Sequence, residues 1–411
     1  MTEIQAPPAR TTFPLEHQLY GRLERLEDAS LLTPDALAAW TNANPVDATV
    51  TEFGECPRCY FQTSGTSGQS KRIPFTAADL EAQIDHEARS FAVAGLTAED
   101  RVMTLASPPP SLSAWATVAG SERLGAEALN SSYVDFDRIL DAGRGAEVTF
   151  VFGTPLMLEL IGRMTEETFG PVDEVFPNLR AGILYGDVLP PAVERRVRRY
   201  WPIDIRLLYG SVEADVIAMS CPDGDRTMHV MDKVVVELLI DGASDPVRVE
   251  ECPDGTRGEV IVSDLDRELL PLIRYATGDI VQVHRSRCGC GRGEPRLSVL
   301  GRRKNELRLG GRALHEMELH AVTDAVLGDR LHDWQLDVDR HGRPDVHAAL
   351  RVSCRGAVAG DVAGQLRERL VALGALVAEQ AERVLEVVID EPSDEQRAPD
   401  GDVKADRIRF R

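Results

Sequence analysis

The sequence predicts an α/β protein: a large multi-layer body with a largely parallel core sheet, followed by a small C-terminal α+β domain. Three observations carry that prediction. The chain has 411 residues, and single cores usually stop growing near about 250–300 residues, so a body and an appendage are expected. Between residues 60 and 283 short apolar runs alternate with amphipathic stretches, the rhythm of strands and covering helices in a parallel sheet. After Cys288-Gly-Cys-Gly-Arg292 the pattern restarts as a shorter series.

In the first series, 148–152, 181–184, 205–208, 234–240 and 259–262 read as strands, and 77–94, 156–166 and 191–200 as helices. In the second, two short strands fall within 297–309, a helix spans 315–327, and strands cover 334–338 and 346–352. A long helix over 360–384 and a strand over 385–389 complete it. The boundary is placed at Arg302, giving a body of 1–302 and a small C-terminal domain of 303–411.

Composition excludes several classes of function. The chain is 43% hydrophobic and 27% charged, as in soluble globular proteins, and no stretch approaches the roughly 18 consecutive apolar residues of a membrane helix. Residues 1–13 carry Glu3, Pro7 and Pro8 and lack the charged start and apolar core of a secretory signal, so the cytoplasm is the expected location. A net charge of -21, from 46 basic and 67 acidic residues, repels nucleic acid and offers no general attraction to an anionic membrane. Any polyanion bound here needs a local site. Seven cysteines, an odd number without a secretion signal, do not read as a disulfide framework.

The strongest local signal is Thr63-Ser-Gly-Thr-Ser-Gly-Gln-Ser-Lys71, set between the apolar 59–61 and the strand-like 73–75, with Thr76-Ala-Ala-Asp79 opening a helix as a capping-box variant. Gly65 and Gly68 let the backbone turn N–H groups toward an anion, while Thr63, Ser64, Thr66, Ser67 and Lys71 add hydroxyls and positive charge. It is a phosphate-loop candidate but not a Walker A loop: Ser70 stands where the second glycine is required and Arg72 where a magnesium-binding hydroxyl is required. A flexible Ser/Gly linker is the plainer alternative.

A second segment, Leu207-Leu-Tyr-Gly-Ser-Val-Glu-Ala214, ends a strand in an aromatic, a glycine and a carboxylate. Ligands of open α/β sheets bind at the carboxyl ends of strands, so Tyr209 can lie against a base and Glu213 can hold magnesium. A third, Leu272-Ile-Arg-Tyr-Ala-Thr-Gly-Asp279, turns a strand into a carboxylate suited to a ribose diol. Each alone also reads as an ordinary turn with a surface acid.

Taken in order, these segments resemble the adenylate-forming superfamily of acyl-CoA synthetases, peptide-synthetase adenylation domains and luciferases, over roughly residues 55–411. The resemblance implies a phosphate loop at Thr63–Lys71, an adenine and magnesium motif at Tyr209, Gly210, Ser211 and Glu213, and ribose contacts from Asp279 and Arg302. It also implies an adenine-side contribution from Gly186 and Asp187, a hinge at Lys304, and a catalytic lysine at Lys404 in Gly401-Asp-Val-Lys-Ala-Asp-Arg407. The Arg-Tyr-x-Thr-Gly-Asp wording and the Cys-x-Cys-Gly turn point to its phenylacetate-CoA ligase branch, whose members mostly activate aryl or small acids. The Gly-rich stretch often found around that branch's acid pocket is replaced here by Ser107-Pro-Pro-Pro-Ser-Leu-Ser-Ala-Trp115. Trp115, Tyr133, Tyr185 and Gly186 are candidates for the pocket wall, with core packing as the alternative.

Cys288 and Cys290 with Cys221 and His229 make a candidate structural zinc site of three thiolates and one imidazole. Cys56 and Cys59 are the rival partners for the same pair. Resemblance to a Cys/His pair of that branch favours Cys221 and His229.

The expected activity is therefore ATP- and magnesium-dependent conversion of a small, aromatic carboxylic acid to its acyl-AMP, followed by transfer to coenzyme A. Two rivals stand beside it. In one the adenylate, of this acid or of another small oxyanion, passes to an amine or a carrier protein. In the other the chain is an inactive nucleotide-binding or regulatory homologue. The assembly state is left open, with a homodimer as one option.

Overall fold

The computed structural model describes residues 13–17, 19–43, 59–63, 70–107, 109–129, 136–293, 295–339, 347–356, 360–390 and 407–410. Two compact units are present: residues 1–186 with 200–299, and residues 187–199 with 300–411.

The first unit is built on a twelve-stranded sheet. In spatial order its strands are Val247–Arg248, Val234–Leu239, Arg257–Asp264, Leu272–His284, Arg296–Arg302, Met228–Val230, Asp215–Met219, Asp204–Ser211, Ala181–Leu184, Phe150–Gly153, Arg101–Thr104 and Glu127–Leu129. The last five run parallel. Every residue of Phe150–Gly153 and Ala181–Leu184 is buried, which is why these strands read as continuous apolar runs rather than alternating ones. Beyond them, Asp204–Ser211 with Asp215–Met219, Met228–Val230 with both its neighbours, and the pairs from Leu272–His284 out to Val247–Arg248 are antiparallel.

Covering helices begin where side chains cap them. Thr76 Oγ1 accepts from the Asp79 N–H at 3.0 Å while an Asp79 carboxylate oxygen accepts from the Thr76 N–H at 2.9 Å, opening Ala77–Val93. Thr154 Oγ1 accepts from the Met157 N–H at 3.2 Å and Pro155 supplies the first turn of Pro155–Thr168. Among the described residues no helix is long and apolar enough to cross a membrane.

A four-stranded sheet forms the second unit, in the order Leu385–Asp390, His347–Cys354, Leu331–Asp339 and Ile408–Phe410. The central pair is antiparallel and both outer strands join in parallel. Leu336, Leu350, Val352, Leu366, Leu370 and Trp334 lie in its core. The long helix expected over 360–384 is interrupted. Val362–Ala372 is followed by a turn in which Gly374 takes a φ of +71°, then by a 3-10 turn at Ala378–Gln380 and a short helix at Ala381–Val384. The Ala375 N–H returns to the Leu370 carbonyl at 2.9 Å, satisfying the helix end, and Leu376 is then buried. The strand expectation over 297–309 also changes. Arg296–Arg302 belongs to the large sheet, and only isolated bridges, Leu307 with Leu314 and Leu309 with Leu376, follow it.

Candidate functional site

The phosphate-loop candidate sits on a hairpin. Cys59–Gln62 pairs antiparallel with Arg72–Phe75, and three bonds close its neck. The Thr63 N–H donates to the Lys71 carbonyl at 3.0 Å, the Lys71 N–H to Thr63 Oγ1 at 2.9 Å, and the Ser70 hydroxyl to the Thr63 carbonyl at 2.6 Å. Ser64, Gly65, Thr66, Ser67 and Gly68 lie outside the described residues, as do Tyr133, Cys56 and Lys404.

Lys71 turns inward. It is 1% exposed, and its ammonium lies 3.0 Å from Oε1 of Glu213, itself 7% exposed. Glu213 occupies the tight connection between Asp204–Ser211 and Asp215–Met219, which explains the Gly-Ser wording before it. A side chain at Gly210 would place its Cβ 2.3 Å from the Asp215 carbonyl oxygen, so the chain can cross here only over glycine. Ser211 Oγ accepts from the Ala214 N–H at 3.1 Å and closes the turn. Asp215 then adopts a φ of +62°, a conformation Asp tolerates better than most residues.

A buried charge network underlies this turn. Lys233 lies 3.3 Å from Asp215 and 2.6 Å from Asp264, and Arg267 is 3.2 Å from Asp264. Arg267 also donates to the Val212 carbonyl at 3.2 Å and lies 4.4 Å over the Phe75 ring, tying the turn to the hairpin of Cys59–Gln62 and Arg72–Phe75. Burial alone would raise the Asp264 carboxyl, but the charges of Lys233 and Arg267 outweigh it and hold the group below its ordinary value. Burial and the Asp215 charge both push Glu87 well above the ordinary carboxylate range.

Tyr209 and Asp279 meet. The Tyr209 hydroxyl donates to Oδ2 of Asp279 at 3.0 Å, and the Asp279 N–H donates to Thr277 Oγ1 at 3.1 Å. Three strands separate Asp204–Ser211 from Leu272–His284 in the sheet, a span of about 19 Å were the sheet flat. The side-chain contact therefore reports a strongly curled sheet, bringing the second and third sequence segments together.

Tyr275, which sequence reasoning did not single out, joins them: its hydroxyl donates to Glu213 Oε1 at 3.2 Å. The missed signal is a spacing. Tyr209 precedes Glu213 by four residues and Tyr275 precedes Asp279 by four.

The other predicted residues fall elsewhere. Trp115 packs on Phe61 with ring centroids 5.4 Å apart, against the main core cluster. Tyr185 packs against the cluster of Phe150, Phe152, Ile183 and Cys221. Gly186 has a φ of +84° and would meet Thr154 only at ordinary contact distance if it carried a Cβ. Asp187, Arg302 and Lys304 belong to the second unit. There Gly301 has a φ of +138° and approaches the Glu316 backbone, and Lys304 lies in the 3-10 turn Arg303–Asn305. Arg407, three residues beyond Lys404, is held by Asp333 at 3.2 Å and Glu316 at 3.6 Å.

Cys221, His229, Cys288 and Cys290 do come together, with all four donor atoms within 4.8 Å of one another. Cys221 and Cys288 are 3.4 Å apart at sulfur, and Cys290 Sγ is 3.4 Å from His229 Nε2. Tetrahedral zinc with Zn–S bonds near 2.3 Å requires sulfur–sulfur edges of about 3.8 Å, so this donor set fits zinc after small adjustments. Cys59, from the rival set, instead pairs with Phe75 in the hairpin. Burial, reinforced by the neighbouring Cys288 and Cys290 thiols, pushes the Cys221 thiol up to about 12.

Against known families, the profile of the AMP-binding enzymes matches residues 24–264, more than half of the chain. The chain belongs to the AMP-binding enzyme family. Within it, the chain is similar to the phenylacetate-coenzyme A ligase of Pseudomonas putida, 26% identical over 227 residues, 54% of this chain and 49% of that one. It is also similar to the phenylacetate-coenzyme A ligase of Escherichia coli K12, 25% identical over 290 residues, 69% of this chain and 63% of that one. This AMP-binding enzyme thus spans from about half to just under two thirds of the length of the ligases it matches. In structure it resembles 2-hydroxyisobutyryl-CoA ligase in its postadenylation state in complex with 2-HIB-AMP. The TM-score is 0.74 at 19% identity, covering 95% of this chain and 82% of that one. That likeness establishes the fold.

Proposed function

We propose that this AMP-binding enzyme joins a small carboxylic acid, with an aryl acid as the favoured class, to the α-phosphate of ATP, releasing pyrophosphate, and then transfers the acyl group to coenzyme A. One observation carries the reading: a buried ammonium, a buried carboxylate and a tyrosine–aspartate pair converge where the parallel strand Asp204–Ser211 ends in the turn carrying Glu213. The ligases it resembles act on phenylacetate and coenzyme A, as their names state.

Lys71 and the backbone of 64–69 receive the β- and γ-phosphates. Its ammonium is already screened by Glu213, so it waits in the site without solvent. Glu213, with a loop hydroxyl such as Thr66, offers the hard oxygen ligands that magnesium takes, and the ion when bound neutralises phosphate charge. In this scheme Tyr209 takes the adenine and Asp279 the ribose hydroxyls, with Gly186, Asp187 and Arg302 in the nucleotide roles that the family resemblance implies. Lys404 brings positive charge to the acid carboxylate and the α-phosphate, an electrostatic and positioning role. Rotation about Lys304 then exchanges that lysine for the thiol acceptor. The small domain 303–411 is the moving part in this scheme. Cys221, His229, Cys288 and Cys290 hold zinc as a closed, structural site, since four protein ligands leave no position for substrate.

Acid-dependent ATP–pyrophosphate exchange across a panel of aryl and short-chain acids tests the first half. Exchange with no acid on the panel would overturn it in favour of a binding-only role. Mass spectrometry with and without coenzyme A tests the second half: a thioester only with coenzyme A supports transfer to it, and adenylate that accumulates regardless points to an amine or carrier-protein acceptor. If Lys404→Ala leaves the exchange rate unchanged, the assignment of that lysine is wrong.

A further inference from the structure

The two carboxylates of the site come from different segments, and each is met by a tyrosine of the other. Tyr209 and Glu213 belong to the Tyr-Gly-Ser-Val-Glu turn, and Tyr275 and Asp279 to the Tyr-Ala-Thr-Gly-Asp strand. Tyr209 donates to Asp279 at 3.0 Å and Tyr275 donates to Glu213 at 3.2 Å. We infer that Tyr275 and Tyr209 are positioning residues acting crosswise: Tyr275 sets the metal-facing carboxylate of Glu213, and Tyr209 sets the ribose-facing carboxylate of Asp279.

Packing makes this crossing more than a chance meeting of polar tips. Tyr275 is 3% exposed and Tyr209 9% exposed, so neither ring can swing to water. The backbone at Tyr275 is clamped from both sides. Arg274 before it takes a φ of +47°, breaking the strand's alternation, and its guanidinium is fixed by Glu237 and the carbonyls of Glu27 and Ala29. Leu32 bridges to Tyr275, with the Leu32 N–H donating to the Arg274 carbonyl and the Ala276 N–H to the Leu32 carbonyl, both at 2.9 Å. The phenol is thereby aimed at Glu213 by a frame that Glu213 does not itself supply. Lys71 meets the same oxygen, Oε1, at 3.0 Å. With two donors gathered on Oε1, the Glu213 carboxylate is held from two sides, and it is in that orientation that it would meet a bound cation. For Tyr209, Thr277 completes the bracket. Its hydroxyl donates to the Val260 carbonyl at 3.1 Å and accepts from the Asp279 N–H, so Asp279 is held through backbone and side chain together.

The inference rests on the nucleotide reading above, and its test separates the two. Dissociation constants are measured for ATP with magnesium, ATP in magnesium-free buffer, and 2′-deoxyATP with magnesium. Two ratios result, the gain from metal and the gain from the ribose 2′-hydroxyl. Tyr275→Phe is expected to cut the metal gain about tenfold, as loss of one hydrogen bond to a charged group implies, while leaving the ribose gain within about twofold. Tyr209→Phe, which keeps its ring for the base, is expected to do the reverse. If each variant instead weakens the ratio served by the acid of its own segment, or neither ratio moves, the crosswise assignment is overturned. Glu213→Gln and Asp279→Asn supply the separating arm. Should they abolish the metal and ribose gains while the tyrosine variants do nothing, only the crosswise roles fail. Should they too leave both ratios unchanged, the nucleotide reading fails with them. Affinity for ATP in magnesium-free buffer reports folding, and the two tyrosine variants are independent, so loss of fold in one leaves the other decisive.

Discussion

Two clusters in the first unit gather ligand-capable side chains, and they are built on opposite principles. At the Cys221, His229, Cys288 and Cys290 cluster, four soft donors face one another, complete among themselves. At Glu213 and Asp279, two hard carboxylates face cations and phenols supplied by neighbouring elements. The first arrangement can close around an ion and hold strands together. The second, under the proposed function, serves a nucleotide and its metal that arrive and leave. Stability is therefore expected to depend most on the first, and turnover on the second.

The largest expected effect falls on the sulfur cluster. Cys288→Ser should drop bound zinc from about one equivalent to below about a tenth and cost on the order of 4–5 kcal/mol, the range seen when a structural metal is lost. Elemental analysis and thermal melting check both, and the surviving folded fraction should retain its exchange rate. A purified protein without zinc, yet fully stable, would erase the distinction between the clusters. Next comes Lys71→Ala, which leaves Glu213 buried without its cation. Breaking such a pair costs about 3–5 kcal/mol, visible in denaturant melts, and exchange activity should fall with it. A third test, Gly210→Ala, drives a methyl into the Asp215 carbonyl. We expect about 1–3 kcal/mol of destabilisation together with loss of metal-dependent nucleotide binding, because the turn carrying Glu213 must shift.

The smallest effect sharpens the comparison through pH. Glu87 is buried beside Asp215 and its folded-state pKa is raised. Its folded form thus holds its proton longer than the unfolded chain, so its contribution is intact below the unfolded value near about 4.3 and declines as pH rises toward the folded pKa. Glu87→Gln mimics the protonated form and can keep the contact with Gln83. It should leave the melting temperature near pH 4 unchanged and raise it at pH 8 by a few degrees, about 2–4 °C per kcal/mol. An equal shift at both pH values would remove Glu87 as the titrating group.

Much of this was legible from residue order. The apolar runs around 148–152 and 181–184 appear as Phe150–Gly153 and Ala181–Leu184, because strands buried on both faces leave an unbroken apolar signature. The capping pair Thr76 and Asp79 is local and is found as read. Tyr275 escaped for a different reason: its partner is set by sheet curl and by Leu32, which lies 243 positions earlier in the chain. In the Lys233 network only Asp264 and Arg267 are near in sequence, three residues apart; Lys233 meets Asp215 and Asp264 from 18 and 31 positions away, and no local pattern pairs those. In the second unit, apolar periodicity on both sides of Gly374 masked the helix break, although the glycine itself marked it.

The bridge between Leu32 and Tyr275 also decides where the protein tolerates shortening. A version beginning after Leu32 would keep all the motif residues. It would nevertheless strip the backbone partners from Arg274 and Ala276, both buried, and leave those groups unsatisfied. Trimming by motif alone would produce a protein with every motif side chain present and Tyr275 released from its alignment. For recombinant design, the working N-terminal edge of the catalytic body lies before Glu27, whose carbonyl grips Arg274.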